Sequence, residues 1–338
     1  MTMLARVAES LYWMARALER ADTYTRLLEV SHAMTREGGG LDGGGRVSVW
    51  EPLVDITGDL DAFLAAHHAA DERSVPWFLT FAAGNPNSVM SCIRRARQNA
   101  HGIRELLPPE VWEALNSLYL DLSAWPPGRL TREGVYPFAR QVRSASALVQ
   151  GLIDGGMRHD AAWQFLRLGR YVERAEKTAR LLEVKFHILS PRNPALIAPS
   201  ELHQWRSVLS CVGADEAYLR MDNGVGSPQD VARFLVVDAR FPRSVAFSLE
   251  RVADGVAMLV DEGVMRAEDA PTALIQRALT ELSDATPALW NGALASSLDR
   301  VQRRCNEIDA AIGATCFAYP GGEEGSRQRA QAARQAQN

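Results

Sequence analysis

No run of lysine or arginine long enough to mark a nucleic-acid surface occurs in the 338 residues, and the net charge is -4. The electrostatic footprint of a DNA- or RNA-binding protein is therefore missing. No apolar stretch approaches the roughly 18 residues that a membrane span needs. Cysteine is scarce: Cys92, Cys211, Cys305 and Cys316 lie far apart with no C-x-x-C spacing. With no signal peptide ahead of them, they read as reduced thiols packed inside helices of a cytoplasmic protein. Two-residue hairpin signals and sustained period-two alternation are also absent, which argues against sheet. So are the G-x-S-x-G elbow, the Walker phosphate loop and a G-x-G-x-x-G after a strand, which removes the commonest nucleophile and nucleotide sites.

What the chain does have is a copied helix. Arg16 to Val30, RALERADTYTRLLEV, returns at Arg170 to Val184 as RYVERAEKTARLLEV, with nine of fifteen positions identical at an offset of 154. Two further anchors follow in order. Trp50, Gly58 and Ala62 match Trp205, Gly213 and Ala217 at an offset of 155, and Pro86, Ser88, Val89 and Arg95 match Pro242, Ser244, Val245 and Arg251 at an offset of 156. Nearly constant spacing across three anchors indicates a tandem duplication. The expected architecture is all-α, a helical bundle of two repeats of about 155 residues (1–155 and 156–317) packed with pseudo-twofold symmetry. They form one domain over 1–320, and the apolar-poor segment 321–338 reads as a disordered tail.

Punctuation places the helices. From Leu4 to about Thr35 there is no proline or glycine, and Trp13, Met14, Ala17, Leu18, Ala21, Tyr24, Leu27 and Leu28 share one arc, so a long amphipathic helix is expected, ended by the glycine-rich stretch Gly38–Gly45, a spacer in the first reading and a mobile lid in the second. Further helices are expected at Val47–His67, Trp77–Ala83, from Pro86 to Leu107, over PPEVWEALNSLYLDL, and at Thr131–Ile153 with a kink at Pro137. The second unit gives Asp160–Leu189, Pro199–Arg220, Pro228–Val237, Pro242–Asp261, Ala270–Ser283 and Pro287–Gly313.

The copied helix carries a charge ladder. Arg16, Glu19, Asp22, Arg26 and Glu29 recur as Arg170, Glu173, Glu176, Arg180 and Glu183 with the same spacing and the same signs. A solvated stripe of i,i+3 and i,i+4 pairs would explain one copy. Agreement in both copies, while the neighbouring Trp13 becomes Arg167, favours burial and pairing across the pseudo-twofold. A polar cluster for binding or catalysis stays open beside it: Glu19, Glu173 and Glu176 are the candidates for acid/base work, and Arg16, Arg20, Arg26, Arg170, Arg174 and Arg180 for substrate or partner binding. His159 and Asp160, before the second long helix, read as an N-cap or an anion site. Arg240 and Arg243 flank a helix start and could grip a carboxylate or phosphate, as could Arg94, Arg95 and Arg97 in the first copy. Glu29 and His32 have the Glu-x-x-His spacing of carboxylate-bridged metal bundles, but Glu183 and His187 do not repeat it, so no metal site and no cofactor are expected.

The segments ARVAESLYWMARALERADTYTRLLEV, NPNSVMSCIRRARQNA, WQFLRLGRYVERAEKTARLLEV and LVVDARFPRSVAFSLERV resemble the signatures of the bacterial alpha-E domain family, from Met3 to about Phe317. Glu9, Glu19, Glu173 and Glu176 stand in those segments. The resemblance implies an all-helical fold and, as partners, a circularly permuted ATP-grasp ligase-like protein and often a transglutaminase-like protease. It implies a helical partner or substrate-presenting component of an amide-ligase system for peptide synthesis or modification, without ATP binding of its own. The alternative is a stand-alone enzyme using the Glu/Arg cluster for acyl or amide transfer; a carboxylate metalloprotein ranks third. Association into a homo-oligomer stays open.

Overall fold

In the computed structural model the described residues are 3–36, 49–126, 128–189, 199–221, 227–288 and 294–317. The glycine-rich spacer at Gly38–Gly45 and the tail 321–338 lie outside them. Every described element is helical: α1 (Ala5–Arg36), α2 (Trp50–Thr57), α3 (Leu60–Ala66), α4 (Ser74–Thr80), α5 (Val89–Gly102), α6 (Pro109–Ser123), α7 (Arg129–Glu133) and α8 (Tyr136–Gly156). They are followed by α9 (Ala161–Leu189), α10 (Pro199–Val212), α11 (Asp215–Met221), α12 (Pro228–Val237), α13 (Val245–Asp261), α14 (Thr272–Ala288) and α15 (Leu294–Cys316). The fold is all-α.

Helices α1 and α9 run through the middle and pack on each other along their length. Around α1 lie α5 and α8; around α9 lie α13 and α15. Helix α6 closes over α5 and α8, and α14 closes over α13 and α15. Helix α10 leans on α1, and α2 leans on α9. One crossing is unusually close: a Cβ at Gly169 of α9 would collide with the backbone carbonyl of Tyr12 in α1. Only glycine lets the two central helices approach this nearly.

Burial extends around α1 to its charged face. Tyr12, Met14, Leu18 and Leu28 are buried, and so are Arg16, Glu19 and Asp22 of its charge ladder and Arg20 beside them. A helix covered on all sides belongs to the core, and its charges must then find partners inside.

Several expected boundaries shift for local reasons. Val47–His67 is two helices, because Gly58 takes the left-handed conformation (φ 80°) that ends α2 with a C-cap. Pro199–Arg220 divides in the same way at Gly213, φ 66°. The segment expected to run from Pro86 to Leu107 starts later, at Val89, with Ser88 as N-cap accepting from Ser91 N–H, and ends at Gly102 before a 3₁₀ turn over Arg104–Leu106. Thr131–Ile153 becomes α7 and α8, separated by Gly134 at φ 76°, and Pro137 sits in the first turn of α8, where no kink results. Pro287 lies inside α14 instead of opening α15.

Candidate functional site

The charge ladders of α1 and α9 face each other. Glu19 has no exposed surface and takes two contacts of 2.8 Å from Arg174, Nε to Oε1 and Nη2 to Oε2. Glu173, equally buried, receives Arg20 Nε at 2.6 Å and Nη2 at 3.0 Å, and Arg16 Nε at 2.8 Å. The two Glu-Arg dipeptides therefore exchange partners: Glu19 with Arg174, Arg20 with Glu173. Planar guanidinium against carboxylate is the geometry that makes such pairs strong.

Each half of the exchange has a further partner. Arg243, on the turn before α13, reaches Glu19 Oε1 at 2.8 Å and Asp22 Oδ2 at 2.7 Å. Asp22 also accepts from Arg26 at 2.8 Å. On the other side Arg16 reaches Glu176 at 2.9 Å and Asp309 of α15 at 2.5 Å. Lys177 donates to Glu176 at 2.9 Å. Asn87 accepts from Arg20 at 2.7 Å and donates to Asp59 at 2.8 Å, tying α1 to the turn before α5.

The field of these cations sets the carboxyl states. Burial alone would raise the Glu19 carboxyl, yet Arg174 and Arg243 outweigh it and lower it to about 2. Burial likewise opposes ionisation of Glu173, but Arg20, Arg16 and Lys177 hold it well below the usual carboxylate range. Burial raises Glu176 and Lys177 lowers it; Glu173 pushes it up again, Arg16 pulls it down, and the net displacement is downward. Tyr12 moves the other way: burial, then the charge of Asp309, raises its phenol, and its O–H donates to Asp309 at 2.5 Å.

The remaining ladder positions and helix-start residues are dispersed. Arg170 is held by Asp154 at 3.1 and 3.3 Å. Arg180 donates to the Asp55 carbonyl at 3.2 Å and lies against Gly58, at the end of α2, while Arg26 lies against Gly213, at the end of α10. Glu29 accepts from Arg143 at 2.5 Å, and Glu183 accepts from Gln302. Asp160 accepts from Ala162 N–H at 3.1 Å in the manner of an N-cap, and exposed His159 stacks on Trp163 with centroids 3.9 Å apart; neither reaches the cluster. Arg240 is exposed and borders a groove lined by Tyr218, Phe234 and Phe241. In the first copy Arg95 donates to the Pro86 carbonyl and Arg97 to Asn116 at 2.8 Å, so neither is aimed at an anion site. Among the described residues no three His, Cys, Asp or Glu converge as a metal site.

Asp309, Asn87, Asp59 and Lys177 belong to the network without a sequence signal that singles them out. Asp309 has one trace in the chain, the offset of 155 from Asp154: each is the acid that pairs with the corresponding arginine of the other ladder's start, Arg16 or Arg170.

Fold and cluster define an all-helical domain whose two central helices are joined by a buried, reciprocal Glu-Arg exchange. The chain belongs to the Alpha-E family, described as a predicted alpha-helical domain with a conserved ER motif, whose model matches residues 3–317. Similar proteins include uncharacterized protein Mb2597 of Mycobacterium bovis and uncharacterized protein Rv2567 of Mycobacterium tuberculosis. Each is 26% identical over 337 residues, covering 94% of this chain and 37% of the relative. The chain thus spans little more than a third of the length of these relatives. No solved structure matches it. Of the four Glu-Arg dipeptides in the sequence, Glu19-Arg20 and Glu173-Arg174 build the exchange, whereas Glu72-Arg73 and Glu250-Arg251 lie toward the surface.

Proposed function

We propose that the chain is a helical partner or substrate-presenting component of an ATP-grasp amide-ligase system for peptide synthesis or modification, with ATP bound by the partner. What favours this reading over a stand-alone enzyme is the sealing of the Glu-Arg exchange. Glu19 and Glu173 have no exposed surface, and every carboxylate oxygen is taken by a cation. A general base has to be reached by substrate and has to accept a proton near working pH. A carboxyl held at about 2 inside the core does neither. The exchange is read as the fastening of the scaffold, and its two dipeptides as the family's ER motif.

The pseudo-twofold duplication is part of the proposal. Helix α1 with α5, α6 and α8 corresponds to α9 with α13, α14 and α15 in order and in packing partners, which supports two repeats, 1–155 and 156–317, in a single domain. No helix of the described residues is long and apolar enough to cross a membrane; a cytoplasmic location is proposed with the ligase system. The stand-alone enzyme keeps one foothold in Glu176, whose side chain retains 12% exposure.

The test is co-expression with a circularly permuted ATP-grasp ligase-like protein from the same organism, followed by purification and an amine- and amino-acid-dependent ATP turnover assay. The two proteins are expected to co-purify, turnover to require this chain, and Glu176→Gln to leave it unchanged. A folded, partner-bound Glu176→Gln protein without turnover would instead establish the enzyme reading. Failure of the chain to bind the ligase or alter its turnover removes the partner role.

A further inference from the structure

A groove of about 820 Å³ opens between α11, α12 and the turn that leads into α13, and one of its lining residues, Pro242, accepts at its carbonyl from Arg174 of the Glu-Arg exchange at 3.2 Å. Its floor is aromatic and aliphatic. Phe234 packs edge-on to Tyr218 at 5.4 Å and tilted against Phe241 at 4.8 Å, with Val237 beside them and Met221, 65% exposed, at the rim. Such a surface attracts an apolar side chain.

Two acids and two arginines border that floor, so its formal charge is balanced, but the four groups are used differently. Asp230 commits Oδ2 to the backbone N–H and hydroxyl of Ser227, capping α12. Asp238 commits Oδ1 to the N–H groups of Arg240 and Phe241, fixing the turn. The guanidiniums of Arg233 and Arg240 are exposed and make no ion pair or hydrogen bond among the described residues. Among the described residues the groove therefore offers two uncommitted forked cations beside an apolar floor, the pattern for an anion on an apolar body. The second oxygens of Asp230 and Asp238 have no hydrogen-bond donor among the described residues. They are acceptors on the same wall. A hydrocarbon acid has nothing to give them, whereas a peptide has amide N–H groups.

We infer that this groove binds the C-terminal end of a peptide whose last side chain is apolar, the free carboxylate on Arg233 and Arg240 and the side chain on Phe234 and Phe241. This rests on the substrate-presenting reading above and names the substrate class for it.

Isothermal titration of the chain alone with acetyl-Ala-Ala-Phe free acid tests the assignment. Saturable binding is expected, weakened about tenfold or more when the peptide ends in an amide, because a charge-assisted contact is lost. Arg233→Gln/Arg240→Gln, both exposed and safe for folding, should cause a comparable loss, and sodium decanoate should fail to displace the peptide. Absence of saturable binding, equal affinity for acid and amide, indifference to the double substitution, or displacement by decanoate at similar concentration would each overturn it. The ligase is absent from this measurement, so the groove and the partner role fail independently.

Discussion

Arg174 meets Glu19 through two parallel contacts of 2.8 Å, while Arg20, the residue after Glu19, meets Glu173, the residue before Arg174. The four side chains are consecutive in pairs and crossed in space. Removing one charge leaves its partner buried without compensation, and that penalty exceeds the net worth of the intact pair.

Glu19→Gln is therefore expected to destabilise the protein by about 3 kcal/mol or more in urea denaturation, as is Arg174→Met. The double substitution should cost less than the sum of the two, because neither partner is left charged alone. Additive losses in a double-mutant cycle would show that the pair is not coupled.

Acid should unfold the protein through the same groups. A carboxyl lowered from its ordinary value near 4.5 to about 2 on folding contributes stability that is present above the unfolded value and is lost as pH falls toward the folded one. For Glu19 this amounts to roughly 3 kcal/mol, and Glu173, displaced in the same direction, adds to it. Denaturation midpoints measured between pH 7 and pH 2.5 should hold nearly level at first and drop below about 4.5, with a shallower drop in Glu19→Gln. A flat profile down to pH 3 would contradict the pairing.

Two glycines in long helices should respond oppositely to alanine. At Gly169 the added methyl meets the Tyr12 carbonyl at the central crossing, so Gly169→Ala should cost about 2 kcal/mol or more as α1 and α9 are forced apart. At Gly151 in α8 nothing lies within 4 Å, and Gly151→Ala should gain about 0.5–1 kcal/mol from helix propensity alone. Melting temperatures moving the same way for both would refute the close crossing.

The cysteines provide an internal probe of opening. Cys92, Cys211 and Cys305 are buried, and burial raises the thiols of Cys92 and Cys305. Cys316 is partly exposed, with its thiol pushed up to about 11 by burial. Iodoacetamide at pH 8 should modify Cys316 slowly and the other three only in denaturant. Rapid labelling of Cys305 in the native protein would mean that α15 detaches.

The ladder could be read before the fold because both its copies carry the charges in the same order, Arg16 to Glu29 and Arg170 to Glu183. Which rungs meet could not be read: Glu19 crosses to Arg174, a candidate that stands outside the five-rung pattern, and also to Arg243, which stands just before α13. The left-handed turns at Gly58 and Gly213 were hidden because glycine within an apolar stripe does not announce whether it ends a helix or only weakens it. Asp309 and Asn87 are single polar residues whose partners lie 293 and 67 positions away in the chain. Their importance is a property of packing.

The crossing of the Glu-Arg pairs has a consequence for synthesis on the ribosome. The cations on Glu19, Arg174 and Arg243, and the acids on Arg16, namely Glu173, Glu176 and Asp309, all lie beyond residue 169. While only residues 1–155 have emerged, α1 cannot bury its stripe without stranding bare charges. Burial of the α1 stripe therefore has to follow the synthesis of α9, which brings the opposite charges.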